Sequence, residues 1–337
     1  MTIVQLVPYL SAMIAAAILA YLITWLIRPL LLRHLLAKPN ERSSHRISTP
    51  QGAGIAVIAA TVAISVMLSS WSAPTDAYEL AVPLGATLFL AAVGLADDIK
   101  SVPVLRRLLL QTLAVAAVVL IAPDNLRIGH DIPLWIERGL VILAGVWFVN
   151  LVNFMDGLDL MTVTETVPVT CSLVLLGGMG IVTSSTSTVA AALCGAIVGF
   201  SPFNRPPAKL FLGDVGSLPI GLLIGWCLLQ LAHHQQLVAA LLLPLYYLTD
   251  ATLTLLRRIA HREAFWKAHR SHFYQRATDN GYTALEVVSR VGLVNVVLAI
   301  LAIASTLSPT LSVKLLLLAA GCVVVGSLTY VFARPKR

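Results

Sequence analysis

Apolar runs of about 20 residues, each long enough to cross a roughly 30 Å hydrocarbon core as a helix, follow one another along nearly the whole chain. Backbone in lipid must satisfy its own hydrogen bonds, so runs of this kind restrict the chain to a bundle of helices. The spans fall near 3–27, 53–71, 80–96, 108–122, 138–154, 160–182, 187–203, 215–232, 237–256, 284–305 and 311–332, about eleven in all. No room is left for a sizeable soluble domain. Composition agrees: 58% of the 337 residues are hydrophobic and 12% are charged, and the mean hydropathy is +0.87. The expected fold is an all-α polytopic membrane protein, a single domain over 1–337. The first span lacks a basic leader and outruns a cleaved signal, so it is expected to stay as a transmembrane helix.

Five polar clusters interrupt the apolar runs: Pro39 to His45, Asp97-Asp98, Asn150 to Asp159, Asn204 to Ser217, and Arg257 to Arg276. An even number of spans separates each from the next. A helix pair that crosses a bilayer and returns brings the chain back to the side it left, so all five clusters should meet on one membrane face. Nearly all of the 23 Lys and Arg lie on that side. The opposite loops carry only Arg127 and Arg138. The positive-inside rule therefore places the clusters in the cytoplasm, with the N-terminus outside and the C-terminus cytoplasmic. The net charge of +7 follows from topology and attraction to anionic lipid, with no nucleic-acid partner implied. The four cysteines are embedded in spans without metal-ligand spacing and read as structural thiols.

Adjacent carboxylates such as Asp97 and Asp98 repel, and persist at a helix end where a cation or partner compensates them. A solvated terminus would look the same. Asn150, Asn153, Asp156 and Asp159 recur at intervals of three, which on a helix places amides and carboxylates along one face. Gly213-Asp214-Val215-Gly216 sets a carboxylate between glycines where a span begins, a setting that suits phosphate at a helix N-terminus and a hard divalent cation. In the last cluster His269 and His272 could share a helical face, and with Arg270 they offer donors for a diphosphate and sugar hydroxyls. Glu286 and Arg290 are spaced as an i,i+4 pair. Pro168, Pro219 and Pro244 are expected to kink their helices.

Taken together, the segments Pro39-Asn40 … Arg42 … His45 … Thr49-Pro50, Gly94-Leu95-Ala96-Asp97-Asp98, Asn150 … Asn153-Phe154-Met155-Asp156-Gly157 … Asp159, Phe203-Asn204 … Pro207-Ala208, Phe211-Leu212-Gly213-Asp214 … Gly216-Ser217 and His269-Arg270-Ser271-His272-Phe273-Tyr274-Gln275 resemble the polyprenyl-phosphate N-acetylhexosamine-1-phosphate transferases. That family includes the phospho-MurNAc-pentapeptide translocase and the initiating GlcNAc-1-phosphate transferases of O-antigen. The histidine segment is similar to the O-antigen branch. Departures are Lys38 before Pro-Asn, Gln51-Gly52-Ala53-Gly54 for a glycine run, and Leu160 where Gly is common.

The resemblance implies an enzyme of the bacterial inner membrane that moves a phospho-N-acetylhexosamine from a UDP-sugar to polyprenyl phosphate, releasing UMP, with Mg²⁺ or Mn²⁺. It implies Asp214 and Asn153 as metal ligands and Asp97 and Asp98 as catalytic groups. Asp159 and Phe211 would hold uracil, Asn150, Asp156 and Asn204 would contact substrate, and His269, Arg270 and His272 would grip the diphosphate and sugar. Glu165 has a counterpart in the O-antigen branch, either as a substrate contact or as an interior carboxyl. The resemblance also admits a homodimer. A small sugar such as GlcNAc or a 6-deoxy-HexNAc is favoured over MurNAc-pentapeptide. The rival from another class is a proton-coupled transporter, whose carboxylates would lie near the bilayer midplane.

Overall fold

A computed structural model describes residues 3–37, 48–72, 74–129, 131–263 and 269–336. The Pro39 to His45 cluster, Lys267 and Ala268 lie outside the described residues. The fold is helical: α1 (Ile3–His34), α2 (Gly54–Ser72), α3 (Pro74–Ile99), α4 (Val104–Leu120), α5 (Leu134–Met155), α6 (Met161–Gly178), α7 (Ser184–Phe200), α8 (Asp214–His233), α9 (Leu237–Leu242), α10 (Leu245–Ala260), α11 (Phe273–Asp279), α12 (Ala284–Leu307) and α13 (Leu311–Phe332). Among the described residues, eight helices are long and apolar enough to cross a membrane: α1, α3, α5, α6, α7, α8, α12 and α13. Helix α2 carries a shorter apolar stretch, Gly54–Ser69, before α3, and the 17-residue α4 follows α3.

The span expected at 237–256 is not one helix. It breaks at Leu243-Pro244 into α9 and α10, because proline has no N–H to continue the ladder and takes the N-cap position of α10. Pro168 and Pro219, by contrast, lie inside the unbroken helices α6 and α8.

Helices α7 and α8 form the buried centre, with 83% of each span window buried inside the protein. α7 packs against α1, α2 and α6, and α8 packs against α3 and α5. Small residues make the close approach of α1 to α7 possible: Ala12, Ala16 and Ala20 recur one turn apart and are fully buried. The outer helices keep leucines and valines such as Leu26, Leu143, Leu293 and Leu316 exposed, as a lipid-facing surface requires.

A two-residue ribbon stands at one end of this bundle. β1 (Leu36–Ala37) pairs antiparallel with β2 (Thr49–Pro50), Leu36 opposite Pro50. Phe211 N–H donates to the Pro50 carbonyl, while Ala53 and Gly54 N–H donate to the carbonyls of Phe211 and Leu212. The chain leaving α1 is thereby fastened to the entrance of α8. In the first turn of α12, Glu286 pairs not with Arg290 but with Lys336 at 2.6 Å and caps its own helix through Thr283. Arg290 lies over the Tyr282 ring at 4.7 Å. The i,i+4 expectation fails because the capping box claims the Glu286 side chain.

Candidate active site

The last turn of α3, the first turns of α4 and α8, and the last turn of α5 meet at the same end as the ribbon. Asp97 Oδ2 accepts from Arg107 at 2.7 Å, and its Oδ1 accepts from Val102 N–H at 2.5 Å. The same Arg107 nitrogen reaches Asp214 Oδ2 at 3.3 Å. Asn153 Nδ2 donates to Asp214 Oδ1 at 2.7 Å and to Ser217 at 2.8 Å. Four residues from four helices are thus joined in one chain, Asp97–Arg107–Asp214–Asn153. Asp214 is the first residue of α8 and Asp97 lies two short of the end of α3, so the carboxylates sit at helix ends and not midway along a span.

Asp98 has a different job from Asp97. Its two oxygens accept the N–H groups of Asp214 and Val215, each at 3.0 Å, and so satisfy donors that the start of α8 leaves unpaired. The helix N-terminus expected to take phosphate is therefore filled by a carboxylate of the protein. Gly213 makes this possible. At φ 77 and ψ 170 it occupies a region that side chains avoid, and a Cβ would run into Asp98. Gln51 adds a hydrogen bond to the Asp98 carbonyl at 3.2 Å.

The expected face of Asn150, Asn153, Asp156 and Asp159 is not continuous, because α5 ends at Met155. Asn150 is buried and donates to Gln111 of α4 at 2.7 Å, away from Asp214. Of that set, Asn153 joins the Asp97–Arg107–Asp214 chain. Asp156 caps α5 and accepts a hydrogen bond from Thr162. Burial and the neighbouring carboxylates Asp98 and Asp159 push its pKa up to about 7 against the opposing Thr162 hydroxyl. Asp159 accepts from Ala208 N–H at 2.9 Å, and Asn204 accepts from Leu160 N–H at 2.7 Å while donating to the Leu210 carbonyl at 3.0 Å. Asp159 and Asn204 therefore pin the loop that leads to Phe211. Leu160 takes φ 62, the left-handed region that a glycine would occupy without strain.

In the last cluster, His272 is the N-cap of α11 and His269 lies before the helix, so they do not share a helical face. Their rings nevertheless approach to 4.9 Å between centroids, and the His272 ring lies 6.3 Å from that of Phe154. Tyr274 Oη donates to the Phe154 carbonyl at 2.9 Å, which fastens α11 to the last turn of α5. A Cβ at Gly157 would collide with that Tyr274 hydroxyl. Arg270 turns the other way, onto Asp279 at 2.9 Å and Thr278 at 3.0 Å. Glu165 is interior and partnered: Asn295 of α12 donates to it at 2.7 Å.

Three contributors were not singled out in the sequence. Arg107 is one of many cations on its side of the bundle. Asp250, buried in α10, accepts from His272 at 3.1 Å. Thr162 carries the hydroxyl that meets Asp156. A carboxylate isolated in an apolar run, as Asp250 is, was the one available signal.

This geometry can be set beside known proteins. A model of glycosyl transferase family 4 matches residues 80–232. A decaprenyl-phosphate N-acetylglucosaminephosphotransferase of Mycolicibacterium smegmatis is 27% identical over 306 residues, covering 80% of this chain and 75% of that protein. A phospho-N-acetylmuramoyl-pentapeptide-transferase of Limosilactobacillus fermentum is 29% identical over 267 residues, 72% of this chain and 80% of that protein. Over the matched stretch the chain is similar to glycosyl transferase family 4. A second pentapeptide transferase, from Rhodopseudomonas palustris, aligns over 86% of this chain and 90% of its own length at 27% identity. The stretch matched by the family 4 model holds Asp97, Asp98, Arg107, Asn153, Asp156, Asp159 and Asp214. Asp250 and the His269–His272 segment lie beyond it.

Proposed function

We propose that this protein transfers a phospho-N-acetylhexosamine from a UDP-sugar to polyprenyl phosphate at the cytoplasmic face of a bacterial inner membrane. The acceptor phosphate oxygen bonds to the β-phosphorus, the bond from that phosphorus to UMP breaks, and polyprenyl-diphosphate-hexosamine and UMP result. The observation that carries this reading is the Asp97–Arg107–Asp214–Asn153 chain at helix ends, in a protein whose relatives are named as phosphotransferases acting on such sugars.

Phosphoryl transfer depends chiefly on positioning and on neutralising charge that spreads over the phosphate oxygens. Arg107 supplies a fixed cation between two carboxylates. Asp97 orients or deprotonates the acceptor phosphate, and Asp98 holds the start of α8 in place for it. Asp159 and Phe211 bind uracil, and His269 and His272 face the diphosphate and sugar. Asp214, with the Asn153 amide oxygen, is a hard oxygen donor set of the kind Mg²⁺ accepts alongside substrate phosphates. Arg107 lies against Asp214 at 3.3 Å, so Mg²⁺ bound there would share that carboxylate with the guanidinium. Bound Mg²⁺ would offset the charge of the diphosphate. Among the described residues no group of three or more His, Cys, Asp or Glu is gathered as an all-protein cage.

A cavity of about 240 Å³ between α4, α5, α8 and α9 is walled by apolar residues including Val115, Phe148, Trp226, Leu237 and Pro244. Helix α5 lines it with Phe148 and presents Asn153 just over one turn further on. A lipid chain suits such walls and a nucleotide does not. The donor is a small UDP-HexNAc such as UDP-GlcNAc, as in the O-antigen branch. The test is UMP release by the purified protein with polyprenyl phosphate and a panel of UDP-GlcNAc, UDP-QuiNAc, UDP-FucNAc and UDP-MurNAc-pentapeptide. Release from a small donor is expected. No release from any of them would refute the reaction, and a preference for the pentapeptide donor would refute the branch.

A further inference from the structure

Asp250 is fully buried in α10, and five donors converge on its carboxylate. Oδ1 accepts from His272 Nδ1 at 3.1 Å, Phe273 N–H at 3.0 Å and the Thr254 hydroxyl at 3.3 Å. Oδ2 accepts from Tyr274 N–H at 3.1 Å and the Tyr246 hydroxyl at 3.2 Å. Burying a carboxylate is costly unless its oxygens are satisfied, so this arrangement is built and not incidental. The proposed phosphoryl transfer gives Asp250 no contact with substrate.

We infer that Asp250 is a positioning residue that acts through His272, setting which ring nitrogen faces the substrate; this rests on the proposed phosphotransferase reading. A carboxylate only accepts, so the proton of His272 resides on Nδ1, and Nε2 is left as the acceptor of the ring. Packing fixes the ring plane, with Tyr274 stacked at 5.7 Å on one side and His269 at 4.9 Å. The same carboxylate holds the N–H groups of Phe273 and Tyr274, and the Tyr274 hydroxyl is bonded to Phe154 next to Asn153. Asp250 thus ties α10, through α11, to the end of α5 that carries a site residue. The orientation of His272 and the seating of α11 depend on one side chain.

A simple helix cap would predict lost stability and nothing more. The positioning role predicts a specific dependence on His272. In UMP-release assays with UDP-GlcNAc and polyprenyl phosphate, Asp250→Asn keeps an acceptor for the backbone but removes the charge. It should lower kcat by about 10- to 100-fold with KM for the acceptor unchanged, the range seen when the partner that orients a ligating histidine is removed. His272→Gln should lose a similar factor, and the double variant should lose no more than His272→Gln alone. Wild-type kcat in Asp250→Asn, or losses that multiply in the double variant, would overturn the inference. The wild-type protein gives a second reading that needs no variant to fold in working form. Labelled with ¹⁵N-histidine, with His272→Gln used to assign its resonance, it should show His272 protonated at Nδ1; protonation at Nε2 alone would overturn the inference. If wild-type protein releases no UMP from any donor, the phosphotransferase reading fails, while the tautomer measurement still decides what Asp250 does to His272.

Discussion

Arg107 stands ten residues after Asp97 and 107 before Asp214, and touches both carboxylates. Its removal would leave two half-buried carboxylates facing each other without a cation. Arg107→Ala should therefore lower kcat by about 10²–10³-fold, the cost typical of losing one preorganised charge-stabilising donor. Arg107→Lys should recover part of it, because the charge returns without the second donor geometry. Steady-state UMP release measures both, and a wild-type rate in Arg107→Ala would contradict the role. Asp156 makes a separate prediction. Its ordinary pKa of 3.8 is raised to about 7 in the folded protein. Below 3.8 the group is protonated in both states; as pH rises, the unfolded chain loses the proton first, so folding is increasingly disfavoured up to about 7. Asp156→Asn removes that penalty. Its melting temperature should match wild type near about pH 4 and exceed it near about pH 8, whatever the effect on activity; a gap of opposite sign would refute the shift. At this scale the sequence marked the carboxylates and Asn153 but not Arg107. Positive-inside bias already accounts for an arginine on that side, so nothing local distinguishes the one that pairs.

Elements explain why the carboxylates stay apart in role. The entry to α8 is set by Gly213 in a backbone region closed to side chains and by Asp98 on the first two N–H groups. Gly213→Ala must strain that turn or displace Asp98, at a cost of order 1–3 kcal/mol. Thermal melting in detergent should fall accordingly and activity with it, because Asp214 is the next residue; unchanged melting would contradict the turn's importance. The start of α8 was legible from Gly213-Asp214-Val215-Gly216. Its filling by Asp98 was not, since the partner lies 116 residues away. Helix α5 shows the opposite error. A spacing of three suggested one face through Asp159, but the helix stops at Met155, and Asn150 serves the α4 contact through Gln111. Periodicity alone does not show where a helix ends. Pro244 did mark a boundary, and there the expected single span became α9 and α10.

For the whole molecule, parity was the strongest signal in the sequence. Clusters separated by pairs of apolar spans were expected to meet, and Asp97, Asn153 and Asp214 do meet at one end of the bundle. Pairing by parity survives the broken span, because α9 and α10 together still return the chain to the His272 end. Which carboxylate touches which cation depends on contacts far apart in sequence, and no local pattern encodes them. In the proposed reaction the sugar moves together with a phosphate. This is tested most directly with a UDP-N-acetylhexosamine radiolabelled at its β-phosphorus, supplied with polyprenyl phosphate to membranes containing the protein. The label should pass into an organic-extractable lipid and leave unlabelled UMP in the aqueous phase, with the transfer lost in Asp214→Asn. Label that stays in water-soluble UDP while the sugar moves to lipid, or equal transfer by Asp214→Asn, would contradict the account.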